Sequence, residues 1–83
     1  MTISGQVQGV GFRYATIGRA RSRAVAGWVR NNPDGTVDAV FEGQPEAVDA
    51  LVAWSRRGPP GARVDDVRVE VEAPSGQRGF RTG

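Results

Sequence analysis

The chain has 83 residues and a mass of 8.8 kDa, one domain near the lower size at which a chain supports its own core. It contains no Cys, His or Lys, and all 11 basic residues are Arg. That excludes disulfides, Cys-ligated zinc, thiolate nucleophiles, Ser–His triads, HExxH metal sites, Walker lysines and Schiff bases, so an enzyme built from this chain works by positioning or through carboxylates.

The formal net charge is +2, a smaller cationic excess than a nucleic-acid-binding surface usually carries. No stretch approaches a membrane span and no charged-then-apolar leader opens the chain. The expected location is the cytoplasm, with neither membrane nor nucleic acid as a partner.

Met1–Gln6 reads as a short extended segment with Ile3 facing inward, followed by a glycine-bearing loop, VQGVGF, at Val7–Phe12. Arg13–Arg23 reads as a helix in which Ile17, Ala20 and Ala24 form a thin apolar stripe. Gly18 inside it costs about 1 kcal/mol relative to Ala, so this helix needs tertiary support. Val25–Asn31 and Thr36–Glu42 read as strands joined by the turn Asn32-Pro33-Asp34-Gly35. In the second strand, alternation turns Val37, Ala39 and Phe41 toward the core.

Pro45, with Glu46 and Asp49 after it, opens a second helix. Its spacing aligns Val48, Leu51, Val52 and Ser55, with Trp54 beside them, and Gly58-Pro59-Pro60 stops it. Val67, Val69 and Val71 alternate with charged residues as a further strand. Ala73–Gly79 is a polar turn region, and Phe80–Thr82 adds a short terminal pairing segment. This order is the ferredoxin-like, split βαβ sandwich: βαββαβ, two helices on one face of a four- to five-stranded antiparallel sheet, in a single domain over residues 1–83.

Two constellations stand out for chemistry. In GQVQGVGFR, Gly5–Arg13, glycines let the backbone approach a ligand, and a loop wrapped before a helix aims several N–H groups at one anion. Arg13 adds a planar fork matched to phosphate oxygens. The pattern is neither GxGxxG nor GxxxxGK[ST], and an ordinary strand–helix connection with a solvated Arg explains it equally well. Asn31 ends the strand AGWVRN. Its carboxamide suits holding a water, but taken by itself an Asn before Asn-Pro-Asp-Gly is better explained by turn chemistry.

Taken together, GQVQGVGFR, GWVRN and PDGTV resemble acylphosphatase, and EAVDALVAWSRRGPPGARVDDVRVE is similar to that family's second helix, Gly-Pro turn and following strand. The resemblance runs from about Ser4 to Phe80. It implies hydrolysis of a carboxylic–phosphoric mixed anhydride to carboxylate and inorganic phosphate. It implies that Arg13 and the backbone N–H groups of Gln8, Gly9, Val10, Gly11 and Phe12 bind the phosphoryl group, and that Asn31 holds the attacking water. It further implies no metal, no other cofactor and no covalent intermediate, with a small acyl phosphate as the partner, a phosphate or sulfate ion in the loop, and a monomeric enzyme. A loose phosphoryl-transfer transition state with a carboxylate leaving group fits the missing Cys, His and Lys, because it needs positioning more than protein-borne covalent chemistry.

The chain departs from the family pattern at Gln6, often basic there, at Arg23-Ala24, where Leu-Gly is frequent before the second strand, and at Ser55, commonly apolar. If Ala24 takes a left-handed helix-ending position, a penalty of about 1–2 kcal/mol follows. Trp28 and Trp54 read as packing residues, Arg19, Arg21, Arg23 and Arg30 as a solvated face, and Asp65-Asp66 as an acidic turn. Two other classes compete with the enzyme: an RNA-binding module, which needs exposed strand aromatics, and a phosphate-binding interaction domain without catalysis.

Overall fold

The computed structural model describes residues 1–70 and 76–82. Its elements are β1 (Thr2–Gln6), α1 (Phe12–Ser22), β2 (Ala26–Asn31), β3 (Val37–Glu42), α2 (Pro45–Ser55), β4 (Arg63–Arg68) and β5 (Phe80–Thr82). The sheet order is β4-β1-β3-β2-β5. The β4–β1, β1–β3 and β3–β2 pairs are antiparallel, as expected. β5 instead runs parallel to β2, pairing Gly27, Trp28 and Val29 with Phe80, Arg81 and Thr82, so the five-stranded sheet is mixed rather than wholly antiparallel. The ferredoxin-like arrangement stands.

The core lies between the helices and one sheet face: Ile3, Val7, Phe12, Ala20, Val25, Val29, Val37, Ala39, Leu51, Trp54, Val67 and Phe80 are buried. Phe12 and Trp54 join the two helices with ring centroids 5.4 Å apart. Phe41 and Phe80 stack at 5.7 Å, so β5 is fastened to the helix-side face as well as by its ladder.

Several local expectations are corrected. The buried stripe of α1 is Phe12, Thr16 and Ala20, not Ile17, Ala20 and Ala24. The helix starts at the loop's last aromatic, and Thr16 becomes compatible with burial by donating its hydroxyl to the Phe12 carbonyl at 2.8 Å. Ala24 lies beyond the helix at φ 56°. There it completes a Schellman turn in which Ala24 N–H donates to Arg21 and Val25 N–H to Ala20. In α2 the buried residues are Leu51, Trp54 and Ser55, with Val52 only half-buried. Ser55 meets its burial by donating to the Leu51 carbonyl at 2.8 Å.

β4 starts four residues before Val67. Its pairing with β1 slips between Ser4 and Gly5, leaving Asp65 as an extra residue. That bulge lets Val64 and Val67, three apart, both pack against the core, which strict alternation forbids. Asp65 and Asp66 therefore belong to a strand, not a turn, and Val69 lies past its end, exposed. The expected strand position of Val71, and most of the Ala73–Gly79 turn, fall outside the described residues. Trp28 is half-buried, without a place in the core, and has Arg30 over its ring at 4.9 Å. Arg19 covers Trp54 at 4.7 Å, and Arg21 donates through Nε and Nη2 to the Phe80 carbonyl, so neither is simply solvated.

Candidate active site

Strand direction explains how distant residues meet. β1 and β2 both pair antiparallel with β3, so they run the same way, and β5 runs parallel to β2. The C-terminal ends of β1, β2 and β5 therefore emerge at one end of the sheet. β1 leads there into the loop 7–11, β2 ends in Asn31 and β5 ends in Thr82.

The loop is held open by glycine. Gly9 and Gly11 have φ of 74° and 75°, and nothing lies within 4 Å of where a Cβ would be at either. Their requirement is the left-handed backbone itself, which turns successive N–H groups toward one concavity. Gly11 is the N-cap of α1. No side chain caps this helix and no acidic residue stands in its first turn. Among the described residues no backbone carbonyl accepts from the N–H groups of residues 8–12. Unpaired donors at the positive end of a helix favour an anion.

The loop is fastened to the β2–β3 hairpin by Gln8, whose Nε2 donates to the carbonyls of Asn32 at 2.8 Å and Thr36 at 3.0 Å. The hairpin is stiff in turn. Asn32 Nδ2 donates to the Thr36 hydroxyl, and Asp34 accepts from both the Thr36 hydroxyl at 2.6 Å and the Thr36 N–H at 3.0 Å. These bonds from Thr36 hold the Asp34 carboxyl below its ordinary value.

A cleft of about 300 Å³ opens at this end, lined by Gly9, Gly11, Phe12, Arg13, Asn31 and Thr82, with Val7, Tyr14 and Ile17 completing its wall. It brings together Arg13 and Asn31, 18 positions apart in sequence. The Arg13 guanidinium is exposed, and its Nη1 donates to the Thr82 hydroxyl at 3.4 Å. Of the five residues singled out for their loop N–H groups, Gly9, Gly11 and Phe12 line the cleft. The side chains of Gln8 and Val10 do not: Gln8 reaches the hairpin and Val10 packs on the core.

Among the described residues no carboxylate lines the cleft. Glu42 stands at the opposite end of the sheet, paired with Ala26 and accepting the Gln77 N–H. Among the described residues no group of three or more His, Cys, Asp or Glu side chains could hold a metal ion. Nor is any helix among them long and apolar enough to cross a membrane.

Sequence reasoning missed Tyr14, Ile17 and Thr82 as lining residues. Tyr14 carried a readable signal, an aromatic next to Arg13 and off the apolar stripe. Thr82 carried none, because only the parallel pairing of β5 brings it to the site. Of the strand aromatics among the described residues, Phe41 and Phe80 pack on the helix side and Trp28 stands by itself, which does not match the stacking surface an RNA-binding module needs.

The family model described as acylphosphatase matches residues 1–82. An acylphosphatase of Thermococcus kodakarensis is 56% identical over 81 residues, covering 98% of this chain and 89% of the relative. One from Rubrobacter xylanophilus is 60% identical over 79 residues, covering 94% and 72%. The crystal structure of acylphosphatase from Bacillus subtilis superposes with a TM-score of 0.92 at 36% identity, over 99% of this chain and 92% of that one.

Proposed function

This chain belongs to the acylphosphatase family, and from that premise we propose that its cleft hydrolyses acyl phosphates, with Arg13 and the loop amides holding the phosphoryl group and Asn31 holding the water. The reaction gives a carboxylate and inorganic phosphate. The observation that carries the division of roles is the convergence of Arg13, Asn31 and the loop residues Gly9, Gly11 and Phe12, whose amides have no backbone acceptor among the described residues, on one cleft.

The phosphoryl oxygens take the N–H groups of residues 8–12 and the Arg13 fork. The loop donors are in place before the substrate arrives, because Gln8 fixes the loop to the hairpin. Preorganised donors of this kind stabilise developing charge without reorganising at the moment of reaction. Asn31 orients a water toward phosphorus. The new P–O bond forms from that water as the bond from phosphorus to the acyl oxygen breaks. The departing group is a carboxylate, which needs no strong general acid, and the water's proton passes to the phosphate itself. That route suits a cleft whose described lining holds neither carboxylate nor imidazole. The same reading makes the enzyme a cytoplasmic monomer that uses no metal or cofactor and binds phosphate or sulfate in the loop.

Phosphate release from acetyl and benzoyl phosphate tests these roles. Arg13→Ala should lose nearly all activity, mainly through substrate binding. Asn31→Ala should lower kcat by about 10²–10³ while binding changes less. Full turnover by Asn31→Ala would remove its water-positioning role. Unchanged rates in excess EDTA are expected, and a chelator-sensitive rate would contradict the metal-free reading.

A further inference from the structure

We propose that Tyr14 and Ile17 form the acyl-group shelf of this cleft and make it selective for aromatic acyl phosphates; the inference rests on reading the cleft as an acyl phosphate site. The cleft's volume of about 300 Å³ is more than a phosphoryl group fills. Its phosphate-binding half is the loop, Arg13 and Asn31. Apart from Thr82, whose hydroxyl meets Arg13, the remaining wall is apolar, from Val7, Phe12, Tyr14 and Ile17. Val7 and Phe12 are each 1% exposed and belong to the core. The apolar surface open to a ligand is therefore that of Tyr14 and half-buried Ile17.

Tyr14 is 87% exposed, and among the described residues only Val69 is another exposed large hydrophobic. Among the described residues Tyr14 has no ring partner, unlike Phe12, Phe41, Phe80 and both tryptophans. Packing therefore gives no reason for an aromatic at this position. Its place on the helix does. Tyr14 directly follows Arg13 and stands three residues before Ile17, so both side chains share one face of α1. A phosphoryl group held at the loop and attacked in line by water must project its acyl group onto a neighbouring wall, and this face is the apolar one. A flat acyl group gains most there, because ring-on-ring contact adds to the area it buries.

The test is kcat/KM for benzoyl phosphate relative to acetyl phosphate in the wild type, Tyr14→Ala and Tyr14→Phe. Because the variants are compared on the same two substrates, the intrinsic reactivity of each anhydride cancels. Tyr14→Ala should lower the benzoyl-to-acetyl ratio about three- to ten-fold through the KM for benzoyl phosphate, and Tyr14→Phe should hold the ratio within about two-fold. Tyr14 is exposed and Ala is the better helix former, so the substitution does not endanger folding. An unchanged ratio in Tyr14→Ala, with both substrates still hydrolysed, overturns the shelf and leaves the acyl phosphate reading intact. A ratio lost equally in Tyr14→Phe also overturns it, since the hydroxyl rather than the ring would then be responsible. Failure of the wild type to release phosphate from either compound overturns both readings.

Discussion

Arg13 is held by few neighbours for a residue proposed to bind the phosphoryl group. Its Nη1 contact to Thr82, at 3.4 Å, is long and exposed, so its worth lies at the low end for a hydrogen bond. Thr82→Val should raise KM for acetyl phosphate about two- to three-fold with kcat nearly unchanged, and an equal fall in kcat would show that Thr82 acts in the transition state instead. Ala24 is the clearest residue-scale liability. At φ 56° its Cβ opposes the left-handed turn that ends α1. Ala24→Gly should stabilise the fold by about 1 kcal/mol in urea unfolding, and no gain would mean that Gly's greater freedom in the unfolded chain cancels the relief. The strain at Ala24 was legible because a helix stop needs such a position and the sequence puts no Gly there. Arg13 and Asn31 were legible through their paired motifs. Tyr14 was legible only in part, as an aromatic beside Arg13 and off the apolar stripe, and Thr82 not at all, since only the parallel pairing of β5 brings it to the cleft.

Element boundaries came from local chemistry where it was strong, as with Pro45 at the start of α2 and the Asn32–Gly35 turn of the β2–β3 hairpin. They failed at β4, where periodicity in Val67 and Val69 outweighed a bulge that no sequence pattern announces. The direction of β5 also required three dimensions, because three residues pair equally well either way on paper. At this scale Gly27 has the sharpest requirement. Its φ is 139°, and a Cβ would stand 1.7 Å from the Val40 carbonyl oxygen, with Phe80 on the other side. β2 lies between β3 and β5 at this residue, so it has no free direction to retreat. Gly27→Ala should cost about 3 kcal/mol or more and lower activity by shifting the strand that ends in Asn31. A variant with unchanged thermal unfolding would show that the two strands can part there.

For the whole molecule, pH acts on stability and on catalysis through different groups. Partial burial raises the Asp38 carboxyl, but the Thr2 hydroxyl at 2.7 Å, the Asn32 amide, Arg30 at 3.6 Å and the N-terminal ammonium together hold it below its ordinary value. Asp34 is lowered too, by Thr36. A carboxyl with a depressed folded-state value binds fewer protons folded than unfolded in acid. The stability it supplies is present above the unfolded value, near 4, and is lost as pH falls through the folded value. Urea unfolding at pH 7 and pH 3 should show a smaller acid loss in Asp38→Asn than in the wild type, and equal losses would remove Asp38 from the account. Catalysis should be indifferent to these groups, because neither lines the cleft. Between about pH 5 and 8 the rate should follow only the substrate's own phosphate ionisation, and an extra limb that moves in Asp34→Asn would indicate a carboxylate base. Beneath all of this lies the claim that main-chain amides and one guanidinium make a ready anion pocket. Titrating the 15N-labelled protein with inorganic phosphate tests it most directly. The largest saturable shifts should fall on the amides of residues 8–12 and vanish in Arg13→Ala; shifts centred elsewhere, or unaffected by that substitution, would contradict it.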